Sequence, residues 1–160
     1  MARIALREAA FDGIAQRLRA GLPDIAFERN RRSSVMPEEL AGGPLLVLHD
    51  GSQVPADDGS GEDAWTVDAE LQGYVLSSDA DCGPEVSDLY ARAAEALGAG
   101  SIVLEAMLHG EVQVEIHIIE GALDFASATV SESSKPIAAF YLSLSFDLRV
   151  PAGTRFLETP

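Results

Sequence analysis

The sequence predicts an α+β fold in which an antiparallel or mixed β-sheet is packed on one face by two α-helices. Three observations carry this expectation. Residues 4–20 and 84–97 repeat apolar side chains at helical spacing. Residues 64–76, 111–119 and 137–150 alternate apolar and polar side chains with a period of two, the mark of strands wet on one side. The order is helix, strands, helix, strands, and two helices over one sheet hide every apolar strand face at once.

Each element has its local reasons. In residues 4–20, Ile4, Phe11, Ile14 and Leu18 share one helical face, and Ala9, Ala10 and Ala15 favour the helix. Gly21 is the expected C-terminal cap and Pro23 forbids continuation. Ile25 and Phe27 start a strand-like stretch that gives way to a polar, exposed run from Arg29 to Ser34. Met36-Pro37 and Gly42-Gly43-Pro44 are breakers. Leu45-Leu46-Val47-Leu48 reads as a buried strand closed by a turn at Asp50-Gly51. Residues 52–63, rich in Gly, Asp and Ser, read as a long surface loop. In the strand 64–76, Trp65, Val67, Ala69, Leu71 and Val75 alternate with Thr66, Asp68, Glu70, Gln72 and Tyr74, and Gly73 marks a bulge.

In the second helix Pro84 suits the first turn, Glu85 and Asp88 suit the positive end of the dipole, and Val86, Leu89, Ala93 and Leu97 form the stripe. Residues 101–108 are apolar enough for a strand but lack a clean period. Val112, Val114, Ile116 and Ile118 make 111–119 a strand, and residues 122–130 make another before a loop at 131–136. The longest strand, 137–150, turns Phe140, Leu142, Leu144, Phe146, Leu148 and Val150 to one side; Pro151 ends it and leaves a short tail. No internal repeat or linker divides the chain, so residues 1–160 are expected to form one domain.

With 47% apolar and 23% charged residues, the chain has enough apolar content to build a core without disulfides. Its formal net charge of −15 sets up a field that repels nucleic acid and anionic membrane. The charge is uneven. Seven of the 11 Lys and Arg residues lie between Arg3 and Arg32, whereas 33–91 holds 13 acidic residues and no basic one. Such a dipolar chain suits contact between the basic part of one subunit and the acidic part of the next. One cysteine, Cys82, excludes a disulfide within the chain and fits a reducing compartment; it reads as a structural thiol. The N-terminal residues lack the apolar core of a signal peptide, and no apolar run approaches the ~20 residues that span a bilayer.

No catalytic, cofactor or metal motif emerges. His49, His109 and His117 have no partner at metal-ligand spacing. His117 and Glu115 share a strand face and read as an exposed pair on a wet sheet surface. The run from Asp57 to Asp63 does not match the calcium-loop pattern and reads as solvated. Phosphate-cradling and dinucleotide glycine patterns are missing, as is a nucleophile elbow; Ser131 to Lys135 reads as a hairpin loop.

The succession of elements resembles the phage tail terminator family, which includes the lambda-like minor tail protein U and proteins of gene transfer agents. The features that carry the resemblance are the amphipathic helix 4–20 leading into 24–32, the breaker-rich segment before strand 45–49, the long strand 65–76, the helix with Val-Ser-Asp-Leu-Tyr-Ala-Arg-Ala-Ala-Glu-Ala-Leu, and the paired strands ending at Val150-Pro151. The acidic loop 51–63 is longer than the family pattern.

The resemblance implies a non-enzymatic virion protein without cofactors, located at the tail or neck and assembled in the host cytoplasm. It would form a ring, expected to be a hexamer, that docks on the last ring of tail-tube protein, stops polymerisation and offers a surface to head-tail connector proteins. DNA would pass through the lumen without specific binding. A closed ring needs a head-to-tail contact, and the charge asymmetry nominates Arg29, Arg31 and Arg32 on one side and Asp57, Asp58 and Asp63 on the other. Two alternatives stand beside this reading. One is a head-tail connector or completion protein of the same particle. The other is a small-molecule-binding or enzymatic α+β domain with a pocket near Tyr90, Trp65 or His117.

Overall fold

The computed structural model describes residues 2–56, 59–77, 83–108, 112–129 and 135–159. Two helices and two sheets give the α+β architecture that the sequence predicts. In chain order the elements are β1 (Ala2–Ala5), α1 (Leu6–Gly21), β2 (Ala26–Arg29), a 3-10 turn (Pro37–Leu40), β3 (Leu45–Pro55), β4 (Asp63–Leu76), α2 (Gly83–Leu97), β5 (Ile102–Leu108), β6 (Val112–Ile116), β7 (Ile119–Ala128), β8 (Ile137–Val150) and β9 (Phe156–Thr159).

The strands divide between two sheets rather than filling one. The larger has the order β2-β3-β4-β8-β7, and the smaller β1-β9-β5-β6. Among the described residues only β2 and β3 run parallel, and every other pairing is antiparallel. The axis of the larger sheet is the 14-residue pairing of β4 with β8, from Asp63↔Val150 to Leu76↔Ile137, without a register shift. Their alternation sends Trp65, Val67, Leu71, Phe140, Leu142, Phe146 and Leu148 into the core.

Helix α1 is held between the sheets. Its Phe11 meets Phe146 of β8 edge to face at 5.6 Å, while Ile102 and Leu104 of β5 pack against Gly13. Helix α2 covers β4 and β8 with Val86, Leu89, Ala93 and Leu97. One core cluster joins residues of both helices and both sheets. A second, small cluster lies on the outer face of the larger sheet, where Leu40 of the 3-10 turn covers Leu45, Val47 and Ile137.

Several local expectations change. Ile4 belongs to β1, not to the helix, because Ala2–Ala5 pair with Phe156–Thr159 and tie the two ends of the chain together. Gly21 is the last helical residue and not the cap. A Cβ there would stand 2.7 Å from Cβ of Ala96, so glycine lets α1 and α2 touch. Gly73 stays in regular register opposite Phe140 and marks no bulge; the Phe140 ring occupies the space a side chain would take. The bulge lies in β3 instead, between Asp50 and Gln53. Asp50-Gly51 is therefore not a closing turn. β3 continues to Pro55, opposite Trp65, so residues 52–55 of the expected loop 52–63 are strand. No helix among the described residues is long and apolar enough to cross a membrane.

Candidate interaction surface

The arginines nominated for an interface begin where β2 leaves the sheet. Arg29 turns back into its own chain. Its Nε and Nη2 donate to the two carboxylate oxygens of Asp50 on β3 at 3.0 and 2.8 Å, and its Nη2 also donates to Glu8 at 3.1 Å. Nη1 adds Glu8 and, at 3.4 Å, Asp12 on α1. The guanidinium also lies over the Phe11 ring. Its side chain is only 19% exposed. The bidentate grip of Asp50 stabilises the charged form and pushes the Arg29 pKa upward against the cost of burial.

Arg31 is likewise occupied. Nη1 donates to Glu28 at 2.8 Å, Nη2 donates to Glu39 at 2.7 Å, and Nε and Nη2 donate to the carbonyls of Ser33 and Ser34. Glu39 also accepts from the Met36 N–H, which caps the 3-10 turn. Arg31 thus folds the segment after β2 onto itself. Arg29 and Arg31 were expected to offer charge to a neighbour, and their donors are instead engaged within the chain. Arg32 is exposed, and none of the ion pairs among the described residues includes it.

Of the three acidic residues, Asp63 accepts from Arg155 and from the Gly153 N–H, each at 2.8 Å. The Arg155 hydrogen bond, then the backbone one, hold its carboxyl below the usual aspartate range. Arg155 itself lies over the Trp65 ring. Asp57 and Asp58 lie outside the described residues, as do Cys82 and His109.

The side chains named for a rival pocket do not gather. Trp65 pairs with Leu148, whereas Tyr90 stacks on Phe140, so they sit at opposite ends of β8, roughly 25 Å apart at strand rise. His117 and Glu115 are exposed, and Glu115 accepts from Ser101 at 3.2 Å. Among the described residues no three His, Cys, Asp or Glu side chains converge as metal ligands would. A groove of about 270 Å³ between α1 and β5 is lined by Asp12, Gln16 and Glu105, and Gln16 donates to Glu105 across it at 3.4 Å.

The most open feature is one that charge counting passed over. β7 is an edge strand of ten residues, of which only Leu123 is even half-buried. Ile119 is 58% and Phe125 50% exposed. Phe125 rests on Tyr90 of α2, which rests in turn on Phe140, and the Tyr90 hydroxyl donates to Glu120 at 3.0 Å. The strand carries neither lysine nor proline, two of the residues that protect an edge from pairing, and its one bulge, between Glu120 and Leu123, leaves Leu123–Ala128 in regular register. The signal was legible: residues 122–130 read as a strand, and their lack of basic or ring-constrained residues was there to count.

Comparison with protein-family models found no match, and comparison with curated proteins found none either.

Proposed function

We propose that the chain is a subunit of a ring that terminates a phage-type tail tube. The ring caps the last layer of tube protein, stops its polymerisation and presents a surface for head attachment at the neck of the particle. It does this through surfaces and not through chemistry. The observation that carries the reading is β7, a long edge with exposed Ile119 and Phe125 and no lysine or proline, as a subunit built for lateral contact would have. The order of elements, which resembles that of tail terminators, supplies the kind of assembly.

A second observation suits passage of DNA through such a ring. The outward face of β4 and β8 carries Asp68, Glu70 and Asp147 against Arg149, and carboxylates facing a lumen would repel phosphate.

The test is a polymerisation assay with tail-tube protein of the same particle. Substoichiometric chain added during growth should shorten the tubes seen by electron microscopy and leave a distinct ring at one end. Tubes of unchanged length without an end ring would rule the reading out. Selective binding to portal or connector complexes instead would move the chain to the head side of the neck.

A further inference from the structure

We propose that the ring closes by antiparallel pairing of the β7 edge of one copy with the β2 edge of the next. The inference rests on the ring-forming reading and names the surface that makes the ring. β2 and β7 are the two ends of the same five-stranded sheet, and each lacks a strand on its outer side among the described residues. Their directions are fixed by the sheet. β2 runs with β3, β4 opposes β3, β8 opposes β4 and β7 opposes β8, so β7 runs against β2. A rotation about an axis along the strands preserves direction. Copies related in this way bring β7 beside β2 in antiparallel orientation, and the contact is head-to-tail, as closure of a ring requires.

Charge selects this partner over a second β7. Glu120 and Asp124 are the only charged residues on β7, so a symmetric β7 pair would bring carboxylates together. The segment after β2 ends in Arg32, the exposed cation left there once Arg29 and Arg31 have engaged their own acids. Faces and register agree as well. Leu123 and Phe125 lie opposite Leu142 and Phe140 on the helix-covered side, and Phe27 lies opposite Leu46 on that same side. Pairing all four residues of β2 with the last four of β7 sets Arg29 opposite Phe125 and Ala26 opposite Ala128, and brings Asp124 beside Asn30, two residues from Arg32. A shift of one residue would turn the apolar faces to opposite sides, and the shift of two residues that sets Asp124 against Glu28 is disfavoured by like charge. In the chosen register the exposed Phe125 ring comes beside Arg29, whose guanidinium lies over the Phe11 ring of its own chain.

The test is cross-linking in a Cys82→Ser background. Ala26→Cys with Ala128→Cys should give, on mild oxidation, a covalent ladder that stops at the ring size, and either substitution alone should give none. In parallel, Asp124→Arg and Arg32→Asp should each lower the association constant about fivefold at low salt, and the two together should recover it. Unchanged thermal melts establish that each variant is folded. Rings that form without the 26–128 cross-link, or a double charge variant no better than the singles, overturn the pairing and leave the capping reading standing. Cross-linked rings that ignore tube protein do the reverse.

Discussion

Arg29 and Asp50 form a two-pronged ion pair, Nε to Oδ1 at 3.0 Å and Nη2 to Oδ2 at 2.8 Å, that fastens β2 to β3. Glu8 joins it from α1, so one guanidinium ties together three elements. Removing it leaves Asp50, which is also only 19% exposed, without its counter-charge. Arg29→Ala is expected to destabilise the chain by about 2 kcal/mol in urea denaturation, the partial exposure keeping the loss below that of a fully buried pair. Arg29→Lys should recover less than half of this, because an ammonium cannot grip both carboxylate oxygens in the same geometry. Equal stability of Arg29→Ala and wild type would show that the pair contributes nothing.

Gly73 and Phe140 form a size-matched pair. A Cβ at Gly73 would stand 2.1 Å from the Phe140 ring. Gly73→Ala should therefore cost about 1–3 kcal/mol by forcing Phe140 off its rotamer. Adding Phe140→Leu should make the alanine almost harmless, so the double variant is expected to lie close to Phe140→Leu alone. Additive losses would place the strain elsewhere.

Asp63 gives a pH signature. Its folded-state pKa is lowered from the usual 3.8 by Arg155 and the Gly153 N–H. A carboxyl that deprotonates more readily when folded stabilises the fold above its unfolded value, and that contribution is lost as pH falls through the folded value. Asp63→Asn should thus melt below wild type at pH 6, with the gap closing as the solution is taken below the ordinary carboxylate range. Glu39 and Asp24, lowered by Arg31 and Arg92 respectively, contribute the same sign. A gap that widens in acid would contradict this linkage.

Phe125 separates stability from assembly. Half of it is exposed, and its partner within the chain is the edge of Tyr90. Phe125→Ser should cost the isolated subunit about 1 kcal/mol but should abolish rings in sedimentation. A variant that loses stability heavily and still assembles would mean that the ring belongs to the core and not to the junction.

What the sequence made legible follows from how many residues share a signal. β8 and β4 span 14 residues each and alternate through most of that length, so the sequence marks their limits to within one residue. β1 and β9 have four residues each, too few for a period, and Arg3-Ile4-Ala5 runs on into the helical pattern of α1. Their pairing joins positions more than 150 residues apart, which local periodicity does not encode. The same limit explains the split into two sheets. The interaction surface is legible only in part. Charge counting locates Arg29 and Arg31 in a basic segment but not the acids folded against them, whereas exposure of β7 depends on where α2 stops covering the sheet.

Whether the chain works as a ring on a tube is decided by native mass spectrometry of the chain alone and with tail-tube subunits. A closed oligomer of six copies is expected, gaining a further ring's mass when tube protein is added. A strict monomer at every concentration, with no affinity for tube protein, would contradict it.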